Sequence, residues 1–208
     1  MKISERIQKV PASPIRKLAP FDLQAEQKGK KVIHLNIGQP DVETPPAFYE
    51  AVKKFHDKVL AYGNSQGDAE LIKAICKYYE RWDMHFQPEH VYVTNGGSEA
   101  IGFAVMTLCD AGDNILMFEP FYANYKSFIN EFGSEVIPVP TTAENGYHLP
   151  DAATIGKYIT PRTKAILLSN PGNPTGVIYT KEEMAEIAKV VLKYDIALIA
   201  DEVYREFV

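Results

Sequence analysis

The sequence predicts an α/β protein, a mostly parallel sheet with helices on both faces. Three observations lead there. From His90 onward, short apolar runs alternate with helical patterns, the βαβα signature of such a sheet. Two of the runs, Ala165-Ile166-Leu167-Leu168-Ser169 and Ile196-Ala197-Leu198-Ile199-Ala200, are rich in Ile and Leu and separated by a helical pattern, so they read as neighbouring buried parallel strands. Each is followed at once by a polar segment, Asn170-Pro171-Gly172-Asn173-Pro174-Thr175-Gly176 and Asp201-Glu202-Val203-Tyr204. The carboxyl edge of an open α/β sheet is where ligands bind.

The elements follow in order. Residues up to about Gly29 are charged and hold Pro11, Pro14 and Pro20, which reads as an arm with little regular structure. Val32 to Ile37 is a strand candidate ending at Gly38-Gln39-Pro40. Thr44, with Pro45 and Pro46 in the first helical positions, predicts a helix to about Leu60. Asp68 opens another, with Leu71, Ile72, Ile75, Tyr79 and Trp82 on one face. Strands are then expected at Val91–Thr94, Asn114–Phe118, Glu135–Val139, Lys164–Ser169 and Ile196–Ala200. Helices are expected at Ser98–Cys109, Phe121–Phe132 closed by Gly133, Pro150–Ile159, and Thr180–Tyr194 opened by a capping box of Thr180 and Glu183. The final strand stands without a helix after it, which suggests an incomplete domain.

Composition narrows the function classes. The chain has 208 residues, 46% of them hydrophobic and 24% charged, enough for a sizeable core and too apolar for disorder. A net charge of -5 and the absence of a basic stripe argue against nucleic acid as partner. Cys76 and Cys109 lie far apart inside apolar helical patterns and read as core thiols of a reducing compartment. No stretch has the length of a membrane span and no apolar leader opens the chain, so a cytoplasmic location is expected.

The chemistry concentrates in a few turns. Thr94-Asn95-Gly96-Gly97-Ser98-Glu99 joins a strand candidate to a helix, and free N–H groups at a helix start favour an anion such as phosphate, although many such turns carry glycines for steric reasons alone. There is no G-x-G-x-x-G and no G-x-x-x-x-G-K-[ST], so a dinucleotide fingerprint and a P-loop are excluded. His34, His56, His85, His90 and His148 show no metal-ligand spacing and read as surface or hydrogen-bonding residues; no metal is expected. Asp201, directly after an apolar run, is costly to bury unless a cation or several donors meet it, while capping a following helix is the simpler account of an isolated Asp. Asn173 has its own local explanation in the Pro-Gly turns around it.

In combination, Gly38-Gln39-Pro40-Asp41, Gly96-Gly97-Ser98-Glu99-Ala100, the Asn170–Gly176 segment and Asp201-Glu202-Val203-Tyr204 resemble the class I and II aminotransferases, the aspartate aminotransferase-like enzymes of fold type I that use pyridoxal 5′-phosphate. The resemblance implies roles residue by residue. Asp201 matches the acid that pairs with the pyridine nitrogen, and Asn173 and Tyr204 match the residues that bond the phenolic oxygen. Gly97, Ser98 and Glu99 match the helix-start phosphate cup, and Tyr122 matches the aromatic that stacks on the ring. Tyr62 matches a tyrosine that reaches the phosphate in the partner subunit, which implies a homodimer, and Gly38 matches the approach to the substrate carboxylate. Ile72 departs from the pattern, standing where relatives commonly place Arg, and puts local surface contacts in doubt.

The resemblance also implies what is missing. The Schiff-base lysine and the arginine that binds the substrate carboxylate are expected beyond Val208, so no catalytic residue is assigned within the chain. On this reading residues 1–40 are an N-terminal arm with part of a small domain, and 41–208 a truncated large cofactor-binding domain. The activity implied is exchange of an amino group between an amino acid and a 2-oxo acid. A carbon-sulfur β-lyase on the same scaffold and a non-catalytic cofactor-binding or assembly module are the alternatives.

Overall fold

In the computed structural model, residues 2–8, 10, 16–35, 38 and 42–208 are described. The helices are α1 (Glu5–Gln8), α2 (Ala19–Gln27), α3 (Pro46–Lys53), α4 (Ala69–Glu80), α5 (Gly97–Leu108), α6 (Asn124–Glu131), α7 (Ala152–Gly156) and α8 (Lys181–Tyr194). The strands are β1 (Asn114–Glu119), β2 (Glu135–Pro140), β3 (Thr163–Ser169) and β4 (Ala197–Asp201). The chain falls into two compact units, one of residues 1–14 with 95–208, the other of residues 15–94.

The first unit carries the sheet. All strand pairs are parallel, in the order β2-β1-β3-β4. Side chains alternate across a strand, so Ile115, Met117, Ala165 and Leu167 point to one face, where Ile101 and Val105 of α5 and Tyr125 and Ile129 of α6 meet them. Leu116, Phe118, Ile166 and Leu168 point to the other, against Ile155 of α7 and Ile187 and Val190 of α8. The α/β layering read from the sequence is therefore present, with helices on both faces. β4 departs from the buried run expected of it: Ala197, Ile199 and Asp201 are half-buried, whereas Leu198 and Ala200 are exposed, because β4 is an edge of this sheet.

Local signals fix the helix ends. At α8 the capping box forms as read: Thr180 Oγ1 accepts from Glu183 N at 3.2 Å and Glu183 Oε2 accepts from Thr180 N at 2.7 Å. Asp151 caps α7 by accepting from Thr154 N, which starts that helix after Pro150 and makes it shorter than the Pro150–Ile159 span expected. Residues 121–123 stay outside α6 and form the turn that follows β1.

In the second unit the differences are larger. Asp68 does cap α4, accepting from Glu70 N and Leu71 N. Val91–Thr94 is not a strand; Val93 N donates to Gln66 O, and the Gln66 amide donates to Pro88 O and Val91 O, so the run is held by one loop instead of a ladder. Residues 32–35 form no strand and are exposed apart from half-buried Val32; Ile37 lies outside the described residues. α3 ends at Lys53 where Leu60 was expected, since His56-Asp57-Lys58 offers no apolar face to continue it. Ile72 is 5% exposed, a core position of its unit, as its place on the apolar face of α4 predicts. Cys76 and Cys109 are free thiols and half-buried, with Cys109 packed against the core on the α5–α6 face of the sheet.

Candidate functional site at the carboxyl edge

Four polar segments reach the same edge of the sheet. Residues 120–123 follow β1, 170–176 follow β3 and 202–204 follow β4 at their carboxyl ends. α5 enters β1 through a short turn and packs along the sheet, so its amino end lies at that edge too. The connection leaving β1 goes to α6 on one face and that leaving adjacent β3 goes to α8 on the other. Two neighbouring strands whose connections diverge in this way open a crevice between their carboxyl ends.

Asp201 is the last residue of β4, opposite Ser169. Its carbonyl accepts from Asn170 N at 3.0 Å, and its carboxylate is held from two sides: Val203 N donates to Oδ1 at 3.0 Å and the Tyr125 hydroxyl donates to Oδ2 at 2.6 Å. The carboxylate thus meets donors of its own and does not cap a helix. Burial pushes the Tyr125 phenol well above its ordinary value and the hydrogen-bonded Asp201 carboxylate pushes it further, so the hydroxyl keeps its proton.

Asn173 does not serve its own turn. Its Nδ2 donates to the Tyr204 hydroxyl at 3.2 Å, tying the loop after β3 to the loop after β4. The local turn is served by Asn170, whose Oδ1 accepts from Tyr179 N at 3.1 Å, and by Gly172 N, which donates to Val177 O at 2.8 Å. Tyr122 is half-buried; its hydroxyl accepts from Asn124 Nδ2 at 2.7 Å and its ring stands edge-on to Tyr125, with centroids 5.3 Å apart.

At the start of α5, Gly96 occupies φ +82, a conformation costly for any residue with a Cβ, and offers no side-chain cap. Glu99 folds back so that Oε2 accepts from Asn95 N at 2.6 Å. An anion arriving at Gly97, Ser98 and Glu99 would therefore meet backbone N–H groups and the positive end of the helix dipole. Gly38 and Tyr62 belong to the other unit, where both are exposed.

A cavity of about 20 Å³ behind Asn173, lined by Phe121, Tyr125, Ser169 and Tyr179, is the size of a water molecule. Roomier cavities of about 520 and 450 Å³ lie at the amino ends of β2 and β3, away from these polar groups. Asp22, Glu26 and His34 come together in the other unit with their ligand atoms within 4.8 Å of one another, a grouping that their spacing in the sequence does not announce, and His34 Nε2 lies 3.5 Å from Asp22 Oδ2.

Tyr125 was not among the residues singled out from sequence. No local signal marks it, because its partner Asp201 lies 76 residues further along the chain.

Comparison with known proteins bears on the same segments. The family model for aminotransferase class I and II matches residues 30–208. The chain belongs to this family. A probable aspartate/prephenate aminotransferase of Thermus aquaticus is 31% identical over 212 aligned positions, covering 99% of this chain and 54% of that protein. The aspartate aminotransferase of Thermotoga maritima is 33% identical, covering 99% of this chain and 55% of its own length. Among solved structures, an alanine aminotransferase from Pyrococcus furiosus superposes with TM-score 0.89 at 36% identity, over 98% of this chain and 52% of that one. The chain spans about half the length of these aminotransferases. Among the described residues, no helix is long and apolar enough to cross a membrane.

Proposed function

We propose that this chain is the cofactor-holding part of a pyridoxal-phosphate-dependent aminotransferase that exchanges an amino group between an amino acid and a 2-oxo acid. One observation carries the reading: a half-buried carboxylate, Asp201, at the carboxyl edge of the sheet, held by two neutral donors and beside the linked pair Asn173–Tyr204. Bound pyridoxal phosphate supplies a conjugated ring that takes up the electron pair left at an amino acid's α-carbon.

The residues present fit that group. Asp201 keeps lone pairs free to hold a proton at a pyridine nitrogen. Asn173 and Tyr204, already bonded to each other, would hydrogen-bond the phenolic oxygen, and the backbone N–H groups of Gly97, Ser98 and Glu99 would receive the phosphate at a helix start without a side-chain cap. By the family resemblance, Tyr122 would cover the ring face, Tyr62 would reach the phosphate bound by the other subunit of a homodimer, and Gly38 would let the substrate carboxylate approach the backbone. The two free thiols fit a cytoplasmic setting. In the family's order the covalent lysine and the carboxylate-binding arginine follow the segment that holds Tyr204, so no residue described above is assigned either role.

Titration with pyridoxal 5′-phosphate tests this. Reversible binding that weakens at least tenfold in Asp201→Asn is the expected result, since charged hydrogen bonds contribute roughly 1.5–3 kcal/mol. Absence of binding overturns the cofactor assignment. A covalent adduct fixed at one lysine by borohydride overturns the expectation that the lysine lies downstream.

A further inference from the structure

We propose that Tyr125 is the positioning residue for the Asp201 carboxylate, fixing which of its lone pairs faces a bound pyridine nitrogen. The proposal rests on Asp201 being the partner of that nitrogen. An aspartate carboxylate turns broadly about its last torsion unless both oxygens are held. Here each oxygen is tied by a donor from a different element: the Tyr125 hydroxyl of α6 at 2.6 Å on Oδ2, and the Val203 backbone N–H at 3.0 Å on Oδ1. Tyr125 is 3% exposed and packed in the core between sheet and helix, so its hydroxyl cannot swing away.

The chemistry of the holder matters as much as its position. Among the described residues Asp201 takes part in no ion pair. A lysine or arginine in the place of Tyr125 would neutralise the carboxylate and compete with a protonated ring. A phenol that keeps its proton orients the charge and leaves it unpaired, so a cation brought by the ligand becomes the partner. Burial and the adjacent carboxylate both favour the protonated phenol, so this donor persists across the working pH range. The same side chain sets Tyr122 through their edge-on contact at 5.3 Å, so a single turn of chain aligns the aromatic with the acid.

The test uses the 208-residue chain with Tyr125→Phe, Asp201→Asn and the double variant. The probe is pyridoxamine 5′-phosphate carrying nitrogen-15 in its ring, which needs no lysine for binding. Affinity and the ring-nitrogen chemical shift are read between about pH 6 and 10, the shift reporting whether that nitrogen is protonated. Tyr125→Phe retains the packing and is expected to bind roughly tenfold more weakly, with the ring nitrogen losing its proton about one pH unit lower than in the parent chain. Asp201→Asn is expected to lose ring protonation over the whole range, and the double variant to match it.

Parental affinity and titration in a folded Tyr125→Phe, with Asp201→Asn still impaired, overturn the positioning role and leave the pyridine reading standing. A parent chain that does not bind, or an Asp201→Asn variant that titrates like the parent, overturns both. If Tyr125→Phe is recovered unfolded, the double variant decides: folding regained by removing the charge shows that the hydroxyl serves the carboxylate, and an unfolded double variant overturns the proposal.

Discussion

Glu183 holds together two segments far apart in sequence, and removing it has a calculable effect. Its carboxylate accepts from Thr180 N at 2.7 Å, closing the capping box of α8, and from Leu149 N at 2.6 Å, with His148 Nδ1 at 3.0 Å; its side chain is 15% exposed. Burial alone would raise its carboxyl, but the Thr180 and Leu149 N–H groups and then His148 outweigh it and hold Glu183 below the usual carboxylate range. Glu183→Ala strips a partner from both backbone donors. The exposed Thr180 N–H turns to water at a cost of about 1 kcal/mol, and the part-buried Leu149 N–H loses a charged acceptor for about 1.5–3 kcal/mol. The sum, roughly 2.5–4 kcal/mol, lowers Tm by about 5–15 °C for a chain of this size. Glu183→Gln, which retains one acceptor, is expected to lose about half as much. Because the folded-state pKa is depressed, this stability is fully present above the unfolded value near about 4.3 and is lost as pH falls through the folded value. Thermal unfolding of parent and Glu183→Ala at neutral pH and at about pH 3 should therefore show a gap that narrows in acid, and the Leu149 amide should lose protection from hydrogen exchange. A Tm difference under about 1 °C at neutral pH, or one unchanged in acid, refutes the reasoning.

Two further outcomes follow from single positions. Gly67 sits at φ +125 with a hypothetical Cβ 2.6 Å from Val93 Cβ and Cγ2, so Gly67→Ala should cost about 2 kcal/mol or more and lower the urea midpoint; an unchanged midpoint means that the loop repacks freely. Tyr179 is pushed up to about 12 by burial, with Glu183 adding to it, so its contribution is present below the unfolded value near about 10 and lost as pH rises toward 12. Tyr179→Phe should flatten the loss of stability over that range, measured by urea unfolding at stepped pH, and an equally steep loss in the variant excludes this residue as its source.

How much of this was legible in the sequence depended on whether the deciding information was local. The capping box at Thr180 and Glu183, the cap at Asp68 and the stop at Gly133 are each settled within a few residues, and each stands as read. Val91–Thr94 and Val32–Ile37 carried the right residue types for strands, but a strand exists only if another strand offers it a ladder. Gln66 took the backbone groups of the first, and the described part of the second found no partner.

The pairing of Tyr125 with Asp201 spans 76 residues, yet parity makes it intelligible. The run Ile196–Ala200 is apolar at every position, which hid the alternation that a two-residue period imposes on an edge strand. In the sheet, Ala197 and Ile199 face the α5–α6 layer while Leu198 faces away, and Asp201, two residues beyond Ile199, must turn the same way. Its carboxylate is thereby committed to the layer that holds α6, where Tyr125 is buried. A shift of β4 by one residue against β3 would break the Ser169↔Asp201 register and turn the carboxylate to the α7–α8 side, away from that hydroxyl. The register of one edge strand therefore decides whether the acid at this edge is a held charge or an ordinary loop aspartate.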